Sequence, residues 1–271
     1  MSLSIRRALG SGYDDLTSES GLNVFSALLV FNVAYGAVSQ SFRRELLAAT
    51  RRAQPGTLTP QRFPAPFDLE LLALELPLSL LAILTVAAVL GSEAIRFWAI
   101  QLFAGESSPS LQSRLTALVA AAGGLALLLY ALRQLLPVVW LGSTPATTIR
   151  PVRAIVMVSA PLLLVTAYLR QEIALTEASL TGTVRTSVAR FIDAPAPTFG
   201  LLLVLAVLGP LASLPAVVLS NLLTLRVGST LALLTDVLSG VLAAGLSTFS
   251  IAVVTDAYLQ LRDSGAAAGT E

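Results

Sequence analysis

No charged residue occurs between positions 198 and 223, and that run limits the fold more than any other feature. A helix rises 1.5 Å per residue, so about 20 residues cross a hydrocarbon core of about 30 Å. Lipid offers no hydrogen bonds, so a run of this kind must satisfy its backbone internally, as a helix does. Just before it, residues 184–193 carry apolar side chains at helical spacing together with Arg185 and Arg190, and Pro195 and Pro197 then interrupt the pattern. The stretch reads as one unit, a helix lying on the membrane followed by one that spans it.

Similar runs occupy 20–42, 69–90, 115–132, 154–169 and 237–254. The second has Glu70 and Glu75 in its first two turns, and 154–169 is short, with Pro161 near its middle. The last helix is expected to extend over 229–261. Further surface helices are expected at 4–20, with Ile5, Leu9, Tyr13 and Leu16 on one side, and at 93–103, with Ile95, Trp98, Leu102 and Phe103. The third places Leu180, Val184, Val188 and Phe191 on its apolar line. Between the first two spans, 43–68 reads as the longest polar loop. The expected fold is therefore all-α, a polytopic transmembrane helical bundle of about six spans with three interfacial amphipathic helices. It forms a single integral membrane domain over 1–261, followed by a disordered tail at 262–271.

Composition agrees. The chain is 55% hydrophobic and 12% charged, whereas soluble domains carry about 25% charged residues. Every one of the 17 basic residues is arginine, set against 16 acidic ones, so no strong net field recruits nucleic acid. Without Cys, His or Lys there is no thiolate nucleophile, imidazole ligand, Walker lysine or Schiff base. No nucleophile elbow, P-loop or dinucleotide fingerprint occurs either, so neither enzymatic activity nor a cofactor is expected. The first twenty residues carry charges where a signal peptide needs an apolar core, so the amino terminus is expected to be retained.

Ile5-Arg6, Ile95-Arg96 and Val184-Arg185 stand 90 and then 89 positions apart. Arg6 and Arg185, Asp14 and Asp193, Gly21 and Gly200, and Leu22 and Leu201 share a constant offset of 179. This spacing suggests a threefold repeat over 4–91, 92–170 and 173–261, although amphipathic helices resemble one another at low stringency. An even number of spans places both termini and all surface helices on one side. Eight arginines on that side against nine on the other set no orientation.

Ionisable groups inside a membrane mark ion pathways, which makes Asp236 the first candidate site residue, followed by Glu75 and Asp256. Asp236 and Asp256 lie twenty residues apart, about 30 Å along a helix, and so also suit the two faces of one crossing. Gly209-Pro210 and Pro215 read either as a helix break exposing backbone to a substrate or as a packed kink. Ala120 with Gly124, and Gly240 with Ala244, are pairs of small residues that let helices approach closely. Arg43, Arg44, Arg51, Arg52 and Arg62 form a cluster suited to anionic lipid, each worth about 1 kcal/mol near the surface, or to an ordinary basic flank.

At Ala8-Leu9-Gly10-Ser11-Gly12-Tyr13, Gly21-Leu22, Ser39-Gln40-Ser41 and Asp256-Ala257-Tyr258-Leu259-Gln260-Leu261 the chain resembles a group of uncharacterised archaeal polytopic membrane proteins. That group is distantly similar to the membrane domain accompanying glycerophosphodiester phosphodiesterases. The resemblance implies the membrane architecture and no phosphodiesterase activity, because these residues contain no catalytic phosphodiesterase domain.

The expected function is that of a multi-pass cell-membrane protein, an accessory or scaffold organising lipid or a partner. Its partners are the bilayer, an anionic lipid or another membrane protein. The alternative is a transporter or permease subunit with its site near Asp236 and the Gly209-Pro210/Pro215 break.

Overall fold

The computed structural model describes residues 3–53, 74–105, 110–139, 159–164, 166–223 and 229–268, which are helical apart from short turns and links. Helix α1 (Ile5–Thr17) starts at Ser4, whose hydroxyl accepts the Arg7 N–H at 3.3 Å. Ser18 ends it and turns the chain. Its hydroxyl donates to the Asp15 carbonyl at 2.6 Å and accepts the Gly21 N–H at 3.0 Å, so one side chain joins the end of α1 to the start of α2 (Glu19–Ala53). A Cβ on Gly21 would lie 2.0 Å from the Asp15 carbonyl oxygen, so glycine permits this corner.

Helix α3 (Leu78–Ala104) follows Pro77 and ends at Gly105, whose φ of 64° suits a residue without a side chain. Helix α4 (Leu111–Ala117), capped by Ser110, passes through a π-helical turn at Leu118–Gly123 into α5 (Gly124–Val139). Short α6 (Leu169–Leu175) leads to α7 (Leu180–Asp193), which Ser179 caps. Helices α8 (Pro195–Leu223) and α9 (Ser229–Ala268) complete the chain.

Among the described residues, four helices are long and apolar enough to cross a membrane: Glu19–Leu46, Leu78–Ala104, Gln112–Leu132 and Val237–Ser264. The pair α7 and α8, bent by 96° at Ala194, raises the number to five if the two together make one span. The bend falls where Pro195 and Pro197 interrupt the sequence pattern. Six spans are not reached among the described residues. Of the expected span at 154–169, residues 154–158 lie outside the described residues, and 159–164 is a short helix followed by a turn at 166–168.

Three further expectations are corrected. No separate surface helix forms at 93–103, because α3 runs through it and Glu93, Phe97, Ala99 and Ile100 are buried. The expected loop at 43–68 begins as helix to Ala53, since Arg, Leu and Ala favour continuation. The rest, up to 73, lies outside the described residues. The tail expected to be disordered from Arg262 is helical to Ala268, with the Ser264 hydroxyl donating to the Gln260 carbonyl at 2.6 Å.

Small residues let the helices meet. Ala8 of α1 packs with Leu201, Val253, Ala257 and Tyr258 of α8 and α9. Val24 and Leu28 of α2 meet Ala99 of α3 and Ala244 of α9. Phe97 and Ile100 of α3 meet Leu118, Ala122 and Ile173. Gly240 and Ala244 thus lie along the α2–α9 contact, where Gly240 approaches Leu29. Ala120 and Gly124 lie on the outer surface instead, because the π turn directs Leu118, Ala122 and Gly123 inward.

The outside is apolar. Val30 is 73% exposed and Ile83 64%, and Leu203, Val207 and Leu211 form a stripe along α8. Water would oppose such a surface, whereas hydrocarbon suits it. Helix α7 also turns its small polar side, Thr183 and Ser187, inward and leaves Leu180, Val184 and Ile192 exposed. A helix resting on lipid has that arrangement.

Candidate functional site

The charges that pack inside the bundle belong to α3, α4, α6 and α7. Glu93 is 1% exposed and lies fifteen residues into α3, about 22 Å from its start. Arg170 on α6 donates to it twice, Nε to Oε2 at 2.6 Å and Nη2 to Oε1 at 2.9 Å, and Arg96 Nη1 adds a third bond at 3.0 Å. Two-point pairing fixes the register of α6 on α3.

A second pair lies beside the first. Glu172, also 1% exposed, accepts from Arg190 Nε of α7, and the Arg190 guanidinium stands 4.6 Å from the centre of the Tyr258 ring on α9. Tyr258 leans against Tyr168 at 6.2 Å, and the Tyr168 hydroxyl shares a 3.0 Å hydrogen bond with Thr198 of α8. Arg114 of α4 is buried and pairs with no carboxylate among the described residues. It donates to the Ile173 and Ala178 carbonyls at 3.1 and 2.7 Å and to the Thr183 hydroxyl at 3.4 Å. These carbonyls lie at or beyond the end of α6, where a cation is favoured. The three arginines Arg114, Arg170 and Arg190 thereby tie α6 and α7 to the spanning helices.

The residues singled out from sequence are not brought together. Glu75 is exposed, ahead of α3. Asp256 accepts from Gln260 Nε2 at 2.6 Å, and Gln260 Oε1 accepts the Ser4 N–H at 2.9 Å, so Asp256 helps to hold the start of α1. Asp236 belongs to α9, but its side chain lies outside the described residues. Gly209-Pro210 and Pro215, read either as a break or as a packed kink, lie within α8, which is helical from Pro195 to Leu223. Arg43 and Arg44 are exposed on α2, and Arg52, 75% exposed, pairs with Glu45 at 3.6 Å. The Arg51 side chain and all of Arg62 lie outside the described residues. Among the described residues no three acidic side chains converge to hold a metal.

Asp15 on α1 titrates above the usual carboxylate range, first because it is partly buried, then because Asp256 and Asp14 repel its charge. A raised carboxyl binds protons more readily in the folded state, so its charge weakens the fold as pH rises from the ordinary carboxylate value through the raised one. Asp15→Asn is expected to give a small rise in melting temperature at neutral pH and to reduce the gain seen on mild acidification. Thermal unfolding of both proteins in detergent at pH 5 and pH 7 checks this.

A cavity of about 510 Å³ opens beside the Glu93 cluster, between 160–171, α8 and α9. Its walls include Leu202, Ala206, Leu246 and Ile251, and its polar end includes Arg96, Arg170 and Gln171. The oxygen of the Gln171 amide is buried without a hydrogen-bond partner. The network was not visible in the sequence, because its pairs join positions 77 and 18 residues apart. The one available signal was that Glu93, Arg170, Glu172 and Arg190 all fall on the terminal side of the expected topology. No family model, curated protein or solved structure matches the chain.

Proposed function

We propose that this chain is a non-enzymatic multi-pass protein of the cell membrane, a scaffold that organises lipid or a partner at one membrane surface. The observation carrying this reading is the buried layer in which Glu93 and Glu172 are both taken by arginines joining α6 and α7 to the bundle. A carboxylate held this way is suited to fixing a surface layer in register and poorly suited to cycling protons or ions. The exposed apolar side of α7 lays that layer on lipid. Continuity of α8 supports the scaffold reading over a transport site at a helix break.

Connectivity supports a sixth crossing. Tyr130 of α5 bonds Ser39 of α2 at 3.2 Å, at the opposite end from the ion pairs, whereas Arg170 meets Glu93. On this reading Tyr130 and Arg170 stand towards opposite faces of the bilayer.

Proteoliposomes carrying a pH or sodium gradient test the proposal. The scaffold reading expects dissipation no faster than in protein-free vesicles. A protein-dependent flux abolished by Asp236→Asn would replace it with the transporter reading.

A further inference from the structure

The cavity beside the Glu93 cluster has an apolar body and a cationic rim, and we infer that it holds an acyl chain of an anionic membrane lipid whose headgroup rests on Arg96 and Arg170. The inference rests on the membrane-embedded reading above and adds a ligand to it.

Charge balance comes first. Glu93 is the one carboxylate paired with either arginine among the described residues, and it serves both, so two guanidinium groups face one negative charge. One positive charge is left over. Glu93 engages Arg96 Nη1 and Arg170 Nε and Nη2, and each guanidinium has further N–H donors. Arg96 and Arg170 remain 36% and 24% exposed at the cavity, within reach of a phosphate. A buried polar atom is the second, independent observation. Gln171 is 4% exposed, lines the same cavity, and has an amide oxygen with no partner. Buried acceptors are normally satisfied, and a hydroxyl on the headgroup would satisfy this one.

The walls decide between a lipid and a soluble anion. Leu163, Phe199 and Leu203 line the cavity while remaining 43%, 51% and 52% exposed on the apolar exterior, so it opens sideways to the bilayer. Its volume lies within the range of about 300–1,000 Å³ typical of small-molecule sites. Along α8 the lining runs from Phe199 to Ala206, about 10 Å at the helical rise, from near the surface towards the membrane interior. A choline headgroup would bring a second cation to a rim that already has one too many. A phosphoglycerol headgroup brings both the anion and the hydroxyl.

The test places a tryptophan at the opening, Phe199→Trp, in a Trp98→Phe, Trp140→Phe background reconstituted in phosphatidylcholine vesicles. Phosphatidylglycerol or phosphatidylcholine with brominated acyl chains is then added at equal low mole fraction. Quenching by the brominated phosphatidylglycerol is expected at about a fivefold lower fraction, equivalent to about 1 kcal/mol for one uncompensated arginine. Arg96→Gln, which leaves the Glu93–Arg170 pair intact, is expected to abolish that preference and keep the quenching. Equal quenching by both lipids in the arginine-containing protein overturns the proposal. A control tryptophan at the exposed position Ile83 separates the two levels of failure. If Ile83→Trp is quenched and Phe199→Trp is not, the lipid site falls and the membrane reading stands. If neither is quenched, both fall.

Discussion

Glu93→Ala is expected to lower the unfolding free energy by about 3–5 kcal/mol, the usual cost of removing one partner from a buried ion pair. Alanine would leave Arg96 and Arg170 side by side with no anion between them, and the two-point contact that seats α6 on α3 would be lost. Glu172→Ala is expected to act in the same way on Arg190, which is 18% exposed. Glu45→Ala is the matched control, because its partner Arg52 is 75% exposed, and such surface pairs contribute about 0–1 kcal/mol. Unfolding in mixed detergent micelles, followed by circular dichroism, measures all three. Equal effects for Glu93 and Glu45 would mean that the buried layer does not hold α6 and α7 to the bundle. The pairs need not make the protein more stable than an apolar core would, since desolvation offsets much of their attraction. Their role is to specify which helices meet and at what level.

Gly21→Ala is the second large effect, expected near the upper end of the roughly 1–3 kcal/mol typical of overpacking. A methyl group there would stand 2.0 Å from the Asp15 carbonyl oxygen and 2.6 Å from that of Leu16, and backbone cannot turn aside as a side chain does. Relief requires the α1–α2 corner to open. That would pull Ser18 from the Gly21 N–H and lift α1 away from Val253 and Ala257. Gly10→Ala is the contrasting change, because nothing lies within 4 Å of the new methyl. With no clash and a better helix former, it is expected to stabilise by a few tenths to about 1 kcal/mol. Paired thermal unfolding of the two variants gives opposite signs if the corner is as described.

The long apolar helices were legible because lipid leaves a chain little alternative to helix, and composition alone announces that solvent. The bend at Ala194 was legible too, from Pro195 and Pro197 after an amphipathic segment. The extent of α3 was not. Residues 93–103 have the spacing of a surface helix, and only the arrival of Arg170 from a distant segment makes burial of Glu93 tolerable, so α3 continues through it. For the same reason Asp236 drew attention as an isolated charge, whereas Glu93, Arg114 and Glu172 looked like ordinary flanks of their spans. A buried ion pair depends on two positions far apart in sequence, and local pattern carries only one of them at a time. Helix α7 shows a subtler limit. Its apolar line includes Leu180 and Val184, which are exposed, but the periodicity did not show that Thr183 and Ser187 would be the side chains packed inward.

The proposed topology sets the surface helices and both termini on one face of the membrane. Single cysteines test it cleanly, because the natural chain contains none. Substitutions at Ser11, Ser179 and Ser264 on one side and Arg52 and Glu75 on the other would be treated with an impermeant thiol reagent in sealed vesicles of known orientation. The first three are expected to react from one side and the last two only from the opposite side. Labelling of Ser11 and Glu75 from the same side would contradict it.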